Sequence, residues 1–145
     1  MVALAADKNV AHLGDSPTLH LLKLPVKANV RIFKGALVVV DAGFAAPGRT
    51  ATGLIVAGRA ERQFDNTGGA AGAITAEVRR GVFPFVNSSA GDAIAQADVG
   101  TVCYIVDDQT VAKTSGTNTR SIAGRVVSVS EGDSQVYVEI GSFNP

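Results

Sequence analysis

Hydrophobic positions along this chain come mostly in short runs, and the clearest of them have a period of two. Val136, Val138 and Ile140 alternate with Gln135, Tyr137 and Glu139, which places the apolar set on one face of a strand. Residues 73–80 repeat the pattern, with Ile74, Ala76 and Val78 against Thr75, Glu77 and Arg79. Leu37-Val38-Val39-Val40 is apolar at every position and predicts a strand buried on both faces. The chain is organised around residues 81–112. They read as a strand interrupted by Pro84, a loop at 87–92, one helical turn within 93–98, a strand at 101–106, and the turn Asp107-Asp108-Gln109 into a third strand at 110–112.

The remaining elements follow from the breakers between runs. Lys34-Gly35 reads as a two-residue hairpin link between strands at 29–33 and 36–41, because Gly accepts positive φ. Residues 42–52 read as a loop of small residues turning at Pro47-Gly48, 53–62 as a strand, and 64–72 as a second, flexible loop. Residues 113–119 are polar and turn-like. Residues 120–130 form a longer strand with a bulge or close backbone contact at Ala123-Gly124, and Glu131-Gly132-Asp133 turns it into the last strand. The sum is about eight to ten short strands with no helix beyond two turns, an all-β fold built as a small barrel or a sandwich.

The N-terminal part differs. Residues 1–17 show no clean period and read as an extended arm without its own core. Residues 18–26, TLHLLKLPV, are apolar and end at Pro25. They are either the first strand of the core or, with the arm, a segment that docks on a neighbouring subunit. The expected division is an arm with the first apolar segment at 1–26 and a β-domain at 27–145. Leu4, Leu13, Leu19, Leu21, Leu22 and Leu24 are the candidate contact residues of the docking reading.

Composition narrows the function. At 145 residues and 46% hydrophobic, the chain can bury about two-thirds of its unfolded surface. Thirteen basic residues balance thirteen acidic ones and Arg79-Arg80 is the one basic pair, so a phosphate-neutralising nucleic-acid partner is not expected. Cys103 is the single cysteine, which rules out an internal disulfide and fits synthesis in the cytoplasm. The first residues lack a basic n-region, and no apolar run approaches ~20 residues, so neither a secretory signal nor a membrane partner is expected.

Each candidate for chemistry has a plainer reading. Cys103 could be a nucleophile, but it lies mid-strand without a base nearby in sequence, as a buried structural thiol would. His12 and His20 lack further ligands for a metal. Asp107-Asp108 lacks the extra oxygens of a Ca²⁺ loop and suits a turn in which Asp accepts backbone N–H groups. Residues 68–72 have no Gly-Lys-Ser/Thr ending, and Ser88-Ser89 is not framed as Gly-x-Ser-x-Gly. No catalytic set and no cofactor are expected. The chain reads as a protein that assembles rather than an enzyme.

One ordered series of residues carries a resemblance. Lys34-Gly35 leads into an apolar strand, followed by Gly53-Leu54-Ile55-Val56-Ala57-Gly58 and Arg80-Gly81-Val82-Phe83. Ala97-Asp98-Val99-Gly100-Thr101-Val102-Cys103-Tyr104-Ile105-Val106-Asp107-Asp108, Ala123-Gly124-Arg125-Val126-Val127 and Val136-Tyr137-Val138-Glu139-Ile140 complete it. This order resembles the capsid cement (head decoration) proteins of tailed bacteriophages, of the type in Mu-like head-gene clusters, over residues 28–141. The resemblance implies a small β-barrel or β-tulip-like domain. It also implies a homotrimer on the outer capsid surface, at three-fold and quasi-three-fold positions, that binds the major capsid protein and stabilises the expanded shell. The protein would be made in the host cytoplasm and reside in the virion. The alternatives are a tail or baseplate β-module, or a small glycan-binding β-domain for host attachment. The glycan reading would need exposed aromatics, and the chain has six Phe, two Tyr and no Trp.

Overall fold

The structure is a computed structural model, and it describes residues 21–141. Nearly all of its regular structure is β. The strands are β1 (Leu21–Pro25), β2 (Arg31–Ile32), β3 (Leu37–Asp41), β4 (Phe44–Pro47), β5 (Ile55–Ala60), β6 (Phe64–Asp65), β7 (Thr75–Arg79), β8 (Gly81–Asn87), β9 (Val102–Ile105), β10 (Thr110–Ala112), β11 (Ile122–Ser130) and β12 (Gln135–Ile140). Two single 3₁₀ turns, Ala90–Asp92 and Gln96–Asp98, lie between β8 and β9. The expected all-β barrel is present. It is closed in the order β10-β8-β12-β11-β9, with a five-stranded sheet beside it rather than a sandwich partner.

That central sheet runs β1-β7-β5-β3-β4, and a two-stranded sheet, β2-β6, forms a third layer. β3 holds the layers together. Leu37 and Val39 enter the core lined by Phe83, Phe85, Ile105, Val136 and Val138 of the barrel. Val38 enters a second core with Val26, Ile32, Phe64, Ala76 and Val78, and Val40 packs against it. The all-apolar run therefore serves two cores, one per face, as its pattern predicts. β4 divides in the same way, with Ala46 in the first core and Ala45 in the second.

Four expectations change. Lys34-Gly35 does turn the chain, with Gly35 at φ 86° and Ala36 N–H bonded to Phe33 O, but the flanking strands do not pair. β2 pairs with β6, and β3 pairs with β4 and β5, because β3 is needed between two cores. The loop expected at 42–52 contains β4. Ala42 and Gly43, both at positive φ (51° and 91°), make the tight hairpin that the small side chains concealed. Twelve strands among the described residues replace the eight to ten expected. The flexible loop at 64–72 is instead tied down. Buried Asn66 donates through Nδ2 to Lys27 O and Ala70 O (2.9 and 3.0 Å), and Gly68 N–H reaches Asn29 Oδ1 (2.8 Å).

The expected feature at Ala123-Gly124 is present. Register with β9 shifts between Ile122 and Gly124, and a Cβ on Gly124 would stand 2.4 Å from Glu139 O and 2.7 Å from Val138 Cγ1. Backbone cannot yield there as a flexible side chain would. Gly124→Ala is expected to lower stability by about 1–3 kcal/mol, read as a shift in urea midpoint at unchanged slope; a midpoint within error of the parent would show that the barrel wall has slack.

Asp65 gives the fold an acid-sensitive point. Its carboxylate accepts the Thr67 hydroxyl (2.5 Å) and N–H (2.9 Å), and Arg31 Nη2 (2.8 Å). The Thr67 hydroxyl first, then its N–H, then Arg31 hold the carboxyl down at about 2, below the ordinary 3.8. Because the folded value is the lower one, the contribution is complete above 3.8 and is lost as pH falls through about 2. An NMR titration should show the Asp65 carboxyl protonating near the lower value, with the Thr67 amide losing protection in step. Titration at the ordinary value would remove this link.

Candidate functional site

The candidate reactive groups among the described residues are mostly engaged in the fold. Cys103 on β9 points into the barrel core, fully buried, and burial pushes its thiol up to about 12, so it stays protonated at neutral pH. Asp107 Oδ1 accepts the N–H groups of Gln109 and Thr110 (2.9 and 2.8 Å), the self-capping of a turn. Burial, and then Asp107, raise the Asp108 carboxyl. Ser88 Oγ donates to Val111 O (3.0 Å). The 68–72 segment wraps Asn66 so closely that a Cβ on Gly69 would lie 2.1 Å from Asn66 Oδ1. His12 and His20 lie outside the described residues. Among the described residues, no three His, Cys, Asp or Glu side chains gather in a way that could hold a metal ion.

One shallow depression of about 450 Å³ opens beside Leu54, Tyr104, Asn118 and Arg120. Its cation is already engaged. Arg120 Nη1 donates to Asp92 Oδ2 and Thr114 O, both at 3.0 Å. The Thr114 hydroxyl first, and Arg120 second, hold the Asp92 carboxyl below its usual range. This cluster fastens the 113–120 turn to the 3₁₀ turn at Ala90–Asp92.

The surface offers more than the depression does. The barrel packs on one face of the central sheet at β3, where Leu37 and Val39 point toward it. Arg59 on β5 is directly opposite Leu37, Arg79 on β7 is opposite Arg59, and Leu21 on β1 is opposite Arg79. Opposed residues of antiparallel strands share a face, so this row runs out from the barrel core to a part of the sheet where, among the described residues, the side chains are half-buried rather than covered by the barrel. Arg59 marks the border, its guanidinium 4.6 Å from the Phe83 ring centre. Glu61 holds the two opposed arginines together through Arg59 Nη2 (2.7 Å) and Arg79 Nε (3.0 Å). Arg59 first, then Arg79, keep its carboxyl low. Glu77 pairs with Arg62 and faces Lys23 across β1–β7.

The outer wall of the barrel is partly apolar. Val82 and Val86 on β8 are 48% and 41% exposed, and Val127 on β11 is 44% exposed. Pro84 lies between the two valines, opposite Tyr137 of β12. Pro84 interrupts the sequence pattern without ending the strand. Val86 N–H points to the β10 side, and β10 pairs with β8 only at Val86 and Asn87. Among the described residues the nitrogen of Pro84 therefore faces an unpaired stretch, and no ladder bond is lost.

Of the six leucines considered for docking, Leu4, Leu13 and Leu19 lie outside the described residues. The structure places the other three on β1, paired with β7. They do not share a face. Leu22 and Leu24 oppose Val78 and Ala76 on the side of the second core, against which Leu24 packs, whereas Leu21 opposes Arg79 on the open side. Of these three, Leu21 is the one that faces away from the second core, and it is itself half-buried. Sequence reasoning missed the arginine row. Its signal was the alternation of Glu77 and Arg79 with buried Ala76 and Val78, but the opposing strand could not be known.

Compared with known proteins, the chain matches no family model, and no curated protein and no solved structure is significantly similar to it.

The two sides of β1 make a direct contrast. Leu24→Asp places a carboxylate against the second core and should cost at least about 2 kcal/mol. Leu21→Asp, beside Arg79 on the open side, should cost less than about 1 kcal/mol. Equal losses in thermal or urea unfolding would show that the open face is also packed.

Proposed function

We propose that this protein is a non-enzymatic structural component of a bacteriophage virion, which decorates the outside of the capsid as a trimer at three-fold and quasi-three-fold positions and stabilises the shell through the major capsid protein. The observation that carries the reading is the surface. Among the described residues, a body fixed by two cores presents a partly exposed charged sheet face and a partly apolar barrel wall, while Cys103, Ser88 and Asp107 are committed to the fold. Such a surface suits repeated contact with other proteins. Several modest contacts made at once raise avidity by about 10²–10⁴ over one contact. The ordered resemblance across residues 28–141 adds the class of assembly. Its segments fall on β3, β5, β8, β9, β11 and β12, which supply most of the first core, and two of them, β3 and β5, also enter the second.

Within structural proteins, a tail or baseplate module would use the same surfaces. The glycan-binding alternative has one feature in its favour, the depression beside Tyr104 and Asn118. It ranks second because that depression is shallow and Arg120 Nη1 is already held by Asp92 and Thr114, although its buried Nε has no partner among the described residues.

Purified protein should co-sediment saturably with expanded, undecorated heads and much less with unexpanded ones, and removal of residues 1–17 should weaken that binding. Binding that ignores the deletion would move the contact to the β-domain. Absence of binding to either form of head would overturn the reading, and saturable signals on a glycan array would then favour the alternative.

A further inference from the structure

A net charge of zero conceals a division within the chain. Residues 21–80 hold nine basic and four acidic residues, a net of +5, whereas residues 81–141 hold three basic and seven acidic, a net of −4. The division follows the architecture. The first block builds the central sheet and the β2–β6 layer, and the second builds the whole barrel. Each molecule is therefore electrically polarised between its two halves.

The positive side is the part of the central sheet that no barrel strand covers among the described residues, where Lys23 and Arg62 are exposed and Arg59 and Arg79 half-buried. Lys23, Arg59, Arg62 and Arg79 gather there against two carboxylates, Glu61 and Glu77, with Leu21 among them. The negative side is one end of the barrel. The turn between β11 and β12 exposes Glu131 and Asp133. The turn between β9 and β10, with Asp107 and Asp108, reaches the same end. Val86 N–H bonds to Gln109 O (2.8 Å) and Asn87 N–H to Ser134 O (2.9 Å), so both turns flank the end of β8. Exposed Val86 lies there as well.

We infer that the open sheet face binds the acidic barrel end of a second copy of this chain, head to tail. The inference rests on the assembly reading above and names the surfaces that copies would use. Two unlike faces make a heterologous contact, which generates a ring where the rotation closes and an open chain where it does not. A two-fold contact of either face with itself would set like charges against each other. Charge complementarity thus selects the head-to-tail arrangement. It also disfavours a nucleic-acid occupant, since Glu61 and Glu77 already neutralise part of the basic face and the acidic barrel would repel phosphates.

Sedimentation velocity on the full chain tests this without capsids. Association is expected at low salt, weakening at least about tenfold at high salt. Lys23→Glu with Arg62→Glu should abolish it, as should Glu131→Lys with Asp133→Lys in a second variant, each with an unchanged circular dichroism spectrum. Mixing the two variants should restore a one-to-one complex but nothing larger. The native sheet face of the second variant still meets the native barrel end of the first, whereas a barrel end carrying two lysines is neutral and gives the reversed sheet no partner. A parent protein that stays monomeric at low salt would overturn the inference, as would association indifferent to both reversals, or a shift only on adding duplex DNA. Head binding is measured separately. A parent protein that does not associate in solution but still binds heads would remove this contact and leave the cement reading standing, and a parent that associates but binds no heads would remove the cement reading alone.

Discussion

The double-sided burial of β3 is the constraint on which the rest depends. A strand with apolar side chains on both faces must be covered twice, and the two covers here are the closed barrel and the β2–β6 layer. Leu37 and Val39 commit one face, Val38 and Val40 the other. At about 1.5–3 kcal/mol for each fully buried aliphatic side chain, no arrangement that exposes either face competes. This explains why the turn at Lys34-Gly35 does not fold a hairpin. Pairing β2 with β3 would take the place that β4 and β5 occupy and would open the second core.

Where that double cover stops, the surface with functional interest begins. Among the described residues the barrel core reaches the sheet at β3, and the face that starts at Leu37 continues through the half-buried Arg59 and Arg79 to Leu21. Placing two arginines opposite each other is unfavourable by itself. Glu61 offsets it by accepting from both, and the Phe83 ring accepts one guanidinium from below. These exposed pairs stabilise the monomer little. Their main effect is to keep a charged face ordered beside the barrel wall, which is useful for binding another protein surface and adds nothing to a core.

A chain of net charge zero carries no long-range pull as a whole, yet separated charge inside it still sets orientation at short range. The proposed assembly role and the polarised halves are thus consistent with each other on physical grounds. Repetition needs a contact that is modest, directional and unable to pair with itself. A basic sheet face and an acidic barrel end meet those conditions, and Leu21 and Val86 give each an apolar element.

Much of the fold was written in local pattern. The period of two at β7 and β12, the doubly apolar β3, the self-capping turn at Asp107 and the bulge at Gly124 all follow from side-chain alternation or from a single residue type, and these are properties of neighbours in sequence. What was not legible depended on residues far apart in the chain. Ala42-Gly43 and β4 were hidden because alanines carry little signal until a core is placed beside them. The loop at 64–72 looked mobile because the partners of Asn66, Lys27 O and Ala70 O, are a matter of tertiary placement. The sequence by itself determined an all-β domain, its principal turns and the charges it carries. Only the tertiary structure decided which strand lies beside which, and therefore that Leu21 and Leu24 face opposite ways and that opposite charges gather on opposite halves, because strand pairing is fixed by burial of the shared cores rather than by any local preference.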